Sequence, residues 1–139
     1  KIPARQVSAE LATTMDLHAT ILRLTQATAP TKPLDGKDIW PILTNGASSP
    51  HPYYYYFSGR KLEGLRDTTW KLRIAAPADS WLSHELRTGE EPINTYLYNL
   101  KDDPFEQFNL ALEHPEVVDR MRSEMLRFAG EIKADLHFK

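Results

Sequence analysis

Cysteine is absent from this 139-residue chain, which excludes disulfides, thiolate metal sites and a cysteine nucleophile within it. No apolar run approaches the roughly 18 residues that a membrane-crossing helix needs, and most signal peptides are excluded with it. An excess of one charge is missing as well. Lys and Arg number 17 against 19 Asp and Glu, a net charge of -2. That leaves no broad cationic field, so neither nucleic acid nor membrane is an expected partner. The histidines, His18, His51, His84, His114 and His137, are dispersed. No pair has the spacing of a helical or hairpin metal site, so no metal ligands are assigned.

The content is that of an ordinary soluble globular chain, 41% hydrophobic, with one modest core as the prior. It opens on Lys1-Ile2-Pro3-Ala4-Arg5 without Met, as a processed product or a piece of a larger chain would. Val7, Leu11, Met15, His18 and Leu22 recur at steps of three and four, which predicts a helix from Ser8 to about Ala27. Ser8 is a candidate cap, and Asp16 a second one if the run breaks near Thr14. Pro30 and Pro33 stop helical continuation, Asp35-Gly36 makes a turn, and Ile39, Trp40, Ile42 and Leu43 form a short amphipathic piece before Asn45-Gly46.

From Tyr53 the pattern becomes extended. Tyr53 to Phe57, Leu62 to Arg66 and Trp70 to Ile74 read as successive strands. In the last of these, Trp70, Leu72 and Ile74 turn to a core while Lys71 and Arg73 face outward. After a polar excursion from Ala76 to Thr95, expected as a loop or short helix, Tyr96-Leu97-Tyr98 completes an antiparallel meander. A long helix starts near Pro115, with Val118, Met121, Met125, Phe128, Ile132 and Leu136 as its apolar stripe. The expected class is α+β: a small antiparallel sheet of three to four strands, packed by a long C-terminal amphipathic helix and preceded by helical segments. The expected domains are 1–50 and 51–139.

Chemistry is sparse in this pattern. His18 reads as a packing or capping residue on the apolar helical face. His51, ahead of the tyrosine strand, can reach a cleft rim, although a surface turn is the simpler reading. Asp102 and Asp103 read as turn aspartates that cap their own backbone, and Asp16, Asp35 and Asp38 as caps. Arg66, Lys71 and Arg73 could attract an anion, but no glycine-rich phosphate loop stands beside them. Glu106 is a candidate partner for a basic residue of the meander. The run Tyr53 to Tyr56 must alternate between two faces, so packing accounts for it better than ligand stacking.

Five tracts carry a family resemblance: Thr14 to Leu22, Leu34 to Ile39, Leu65 to Leu72, Leu97-Tyr98-Asn99-Leu100-Lys101-Asp102-Asp103-Pro104-Phe105-Glu106-Gln107-Phe108-Asn109-Leu110-Ala111, and the terminal helix. In order and spacing they resemble the C-terminal part of the type I, formylglycine-dependent sulfatases of the alkaline-phosphatase-like superfamily. The resemblance runs from Arg5 to about Ile132. It departs at Ala19, where the family usually has proline, and at Gln26-Ala27-Thr28 and Thr68-Thr69, where glycine is common.

The resemblance implies a parent enzyme that hydrolyses sulfate esters. Its large α/β domain would carry the formylglycine, from a Cys or Ser in a Cys/Ser-x-Pro-x-Arg signature, and a calcium ion acting as Lewis acid and electrostatic clamp. Neither cofactor is expected in this segment, and no catalytic residue is assigned; His51 and Arg66 are the substrate-rim candidates. The implied partners are the N-terminal catalytic domain and, through it, a small-molecule or glycan sulfate ester. Self-association is expected of the segment by itself. The same portion of a phosphonate or phosphate monoester hydrolase, and an independent binding module, are the alternatives.

Overall fold

The computed structural model describes residues 2–74 and 95–133, with the backbone of Asp135 and Leu136, and the chain divides into two units, Lys1–Pro52 and Tyr53–Lys139. Nearly all of the polar excursion, with His84 and His137, lies outside the described residues.

In the first unit, helix α1 spans Thr14–Thr25, six residues later than Ser8 would have started it. Thr13 is extended (φ -128°, ψ 163°), and its N–H donates to Asp16 Oδ2 at 2.6 Å, so the third helical residue caps the helix from inside. The preceding residues are used otherwise. Glu10 accepts the Ser49 N–H at 2.7 Å and the Leu11 carbonyl accepts the Ser49 hydroxyl at 2.5 Å. Val7 is therefore outside the helix and fully exposed, and the stripe expected through it does not form. His18 is exposed too, not a packing residue.

The helix ends on Gln26 in the left-handed region (φ 57°), where the family commonly has glycine. A Cβ in that region costs about 1 kcal/mol. Gln26→Gly is expected to raise stability by about 0.5–1 kcal/mol, read as a higher thermal midpoint; a fall would contradict the strain. Helix α2, Trp40–Asn45, follows with Pro41 in its first turn and Gly46 (φ 64°) past its end. Leu11, Ile39 and Ile42 are the buried apolar residues of this unit.

The second unit is the meander. Strands β1 (Tyr54–Ser58), β2 (Lys61–Arg66), β3 (Trp70–Ile74) and β4 (Thr95–Asn99) pair antiparallel in the order β1-β2-β3-β4. Helix α3, Pro115–Ile132, covers one face. Strict alternation would send Leu62 and Leu65 to opposite faces. A bulge prevents that: Tyr56 pairs with Gly64 and Phe57 with Leu62, so Glu63 is an extra residue and both leucines turn to the core. There they meet Leu72, Leu97, Met121 and Met125, all fully buried.

Side-chain bonds fix α3 to the sheet. The Tyr55 hydroxyl donates to Glu124 at 2.5 Å and its ring stacks on Phe128 at 3.7 Å between centroids. Burial, then the Glu124 carboxylate, raises the Tyr55 phenol, while Arg127 holds Glu124 below its usual value. Arg120 reaches Tyr53 and Asp67, whose other oxygen closes the β2–β3 turn on the N–H groups of Thr69 and Trp70. Helix α3 stops at Ile132, with Lys133 left-handed (φ 53°). Leu136 therefore does not extend the apolar stripe. It lies in strand β5, Asp135–Leu136, parallel to β2. Ala129 is buried in its place along the helix, and Ile132 is half exposed.

Candidate functional site

Two polar constructions stand out, one in each unit. In the first, the buried face of α1 consists of Asp16 and Thr20, one turn apart. Asp16 Oδ1 accepts the Lys37 N–H at 2.8 Å, and Thr20 Oγ1 accepts the Ile39 N–H at 2.9 Å. Gly36 makes this approach feasible, because a Cβ there would lie 2.2 Å from the Met15 carbonyl oxygen. His51 Nε2 donates to Asp16 Oδ1 at 2.7 Å. Burial by itself would raise the Asp16 carboxyl, but the bonds from Lys37, Thr13 and His51 outweigh it and hold the group below 3.8. The tracts Thr14 to Leu22 and Leu34 to Ile39 thus meet in a backbone-docking device. His51 latches the chain ahead of β1 onto it.

In the second unit the sheet face away from α3 carries a cleft of about 450 Å³. Its residues come from alternation: Tyr56 on β1, Gly64 on β2, Lys71 and Arg73 on β3, and Tyr98 on β4. Gly64 stands between Tyr56 and Arg73 in register, so the floor is backbone. Lys71 Nζ lies 4.9 Å from the centre of the Tyr56 ring and donates to both Glu106 oxygens, at 2.6 and 2.8 Å. Glu106 is brought there by the loop after β4, in which Asp103 accepts the N–H groups of Glu106 and Phe108. Phe105, 81% exposed, stands at the mouth. Burial raises the phenols of Tyr56 and Tyr98.

Asn109 explains the end of the long family tract. Its Oδ1 accepts the N–H groups of Leu97 and Ala111, and its Nδ2 donates to the Thr95 carbonyl. With the Leu110 N–H on the Leu97 carbonyl, this fastens the loop along β4. Asp102 accepts from Asn99, as a turn residue.

The two rim candidates fall in different units. His51 is engaged with Asp16, and Arg66 stands outside the cleft, bonded to the Asp67 carbonyl. The sequence marked Lys71 and Arg73, with Arg66, as charges that could attract an anion, and Glu106 as a candidate partner for a basic residue of the meander, which is Lys71. It gave no sign of Gly64, whose role depends on which residues flank it across two strand pairs. The calcium and formylglycine of the resemblance do not fit these residues. Cysteine is absent, and Ser48-Ser49-Pro50-His51-Pro52, the nearest serine tract to the signature, ends in proline. Among the described residues no three His, Asp or Glu side chains converge as metal ligands. No helix among them is long and apolar enough to cross a membrane.

No family model matches the chain. Curated relatives do. The N-acetylgalactosamine-6-sulfatase of Sus scrofa is 29% identical over 87% of this chain and 26% of its own length. Arylsulfatase A of Bos taurus is 28% identical, over 91% and 27%. A solved structure from work on the metabolism of multiple glycosaminoglycans by Bacteroides thetaiotaomicron superposes with a TM-score of 0.56 at 26% identity, over 82% of this chain and 24% of that one. The chain spans about a quarter of the length of the curated relatives it matches. In sequence and in fold the chain is similar to sulfatases over about a quarter of their length.

Proposed function

We propose that the chain is the scaffold and cleft-rim portion of a sulfatase, supplying no nucleophile and stabilising a catalytic body that brings the formylglycine and calcium. Residues 1–50 end the large domain and connect it, and residues 51–139 form the sheet-and-helix subdomain. The substrate reached through that body is a sulfate ester, and the names of the relatives favour a sulfated sugar.

One observation carries the reading. Helix α1 buries its polar residues Asp16 and Thr20 while Leu17, Ile21 and Leu24, aligned at successive turns, are 51%, 58% and 45% exposed. A helix with its apolar stripe in water has an unmade contact. The catalytic body of the sulfatase is the occupant, since the relatives are about four times longer than this chain.

By itself the chain is expected to self-associate in sedimentation velocity. Leu17→Glu, Ile21→Glu and Leu24→Glu together should return it to a monomer without loss of helix. A monomeric parent chain would overturn the docking role. The pure chain should also release no product from a chromogenic aryl sulfate, and turnover would overturn the scaffold reading.

A further inference from the structure

We propose that the cleft on the outer sheet face binds one sulfated sugar unit, with the Arg73 guanidinium taking the sulfate and the exposed Phe105 ring covering the sugar. This rests on the sulfatase reading and adds a specificity subsite to it.

The space is enforced by the backbone. A Cβ on Gly64 would lie 2.4 Å from the Leu72 carbonyl oxygen, so the position stays glycine while β2 and β3 are paired, and the cleft floor there is backbone. At about 450 Å³ the cleft falls within the range of small-ligand sites.

Among the described residues one cation of the cleft has no ion-pair partner. Lys71 and Glu106 neutralise each other, and Glu63 is itself partnered. Arg73 lines the cleft with no ion-pair partner among the described residues. A guanidinium matches the oxygens of a sulfate with two parallel N–H bonds, which an ammonium cannot do.

The Phe105 ring suits the rest of such a ligand, because the C–H face of a pyranose is apolar and flat enough to lie on a ring. Phe105 is exposed yet held in place. Its loop is fastened by Glu106 on Lys71 and by the Phe108 N–H on Asp103, at 2.9 Å. A ring fixed in water at a cleft mouth loses little freedom when a ligand covers it.

The test is a titration of the isotopically labelled chain with N-acetylgalactosamine 6-sulfate, followed by amide resonances, with unsulfated N-acetylgalactosamine and inorganic sulfate in parallel. The sulfated sugar should shift Gly64, Arg73 and the 103–108 loop with millimolar affinity, and the two controls should bind more weakly. Arg73→Gln should weaken binding by about tenfold, Arg73→Lys by less, both with an unchanged thermal midpoint; Phe105→Ala should weaken the sulfated and unsulfated sugars alike. Three results overturn the proposal: no shifts at the cleft, inorganic sulfate binding as well as the sulfated sugar, or full affinity in Arg73→Gln. Binding requires no catalytic body, so its loss leaves the scaffold reading standing, and a monomeric or catalytically active chain leaves the binding result standing.

Discussion

Asp16→Ala is expected to cost about 3–5 kcal/mol and to unfold the first unit at ambient temperature. The carboxylate is fully buried and accepts from Thr13 N, Lys37 N and His51 Nε2. Its removal strands two backbone donors and a ring N–H in a place water does not reach, which is the expensive way to break a buried charged contact. Leu11, Ile39 and Ile42 alone cannot compensate, because so small an apolar core leaves little margin. Asp16→Asn keeps the shape and one acceptor, but turns an amide N–H towards donors; an intermediate loss is expected.

The same carboxylate gives the first unit an acid limit. A folded value below 3.8 means that the unfolded chain binds the proton more readily, so the stabilisation is complete above about pH 4 and disappears as pH falls through the folded value. Acid unfolding followed by the fluorescence of Trp40, at the start of α2, should show this loss in the parent chain. Asp16→Ala should be nearly flat over the same interval. An alanine variant with parent-like stability and the parent acid limb would refute the docking device.

Leu72→Ala is expected to cost about 2–5 kcal/mol in the second unit. Leu72 is fully buried and sits between Leu65 and Leu97 in cross-strand register, in one core with Met121 and Met125. Three fully buried strand leucines in a row leave no mobile neighbour to collapse into the cavity, so the upper half of the range applies. Denaturant unfolding, with hydrogen exchange of β2 and β3 to localise the loss, measures it. Leu112→Ala is the control: at 82% exposure it should change stability by less than about 0.5 kcal/mol. Equal effects at the two positions would mean that this core does not hold the sheet.

The sheet and α3 were legible because their signals are local. Alternation through Trp70, Lys71, Leu72, Arg73 and Ile74 assigns the faces of β3 whatever lies around it, and Pro115 with the stripe to Met125 marks α3 and its buried side. The tyrosine run divided as alternation requires: Tyr55 against Phe128, Tyr56 under Lys71. The start of α1 was misread because the apolar spacing from Val7 mimics a helix, while the competing demand, Ser49 on Glu10 and Leu11, comes from about forty residues away.

The α+β class, the order of the strands and the likeness to sulfatases could be read from the residues alone, since periodicity and ordered tracts are properties of neighbouring residues. Long-range contacts were needed to see that Asp16, besides capping α1, is a buried acceptor for Lys37 and His51, that the partner of Glu106 is Lys71, and that Gly64 lies on a cleft floor beside Arg73. Each of these depends on which distant groups compete for the same donor, charge or volume. That competition exists only once strands are paired and loops have closed.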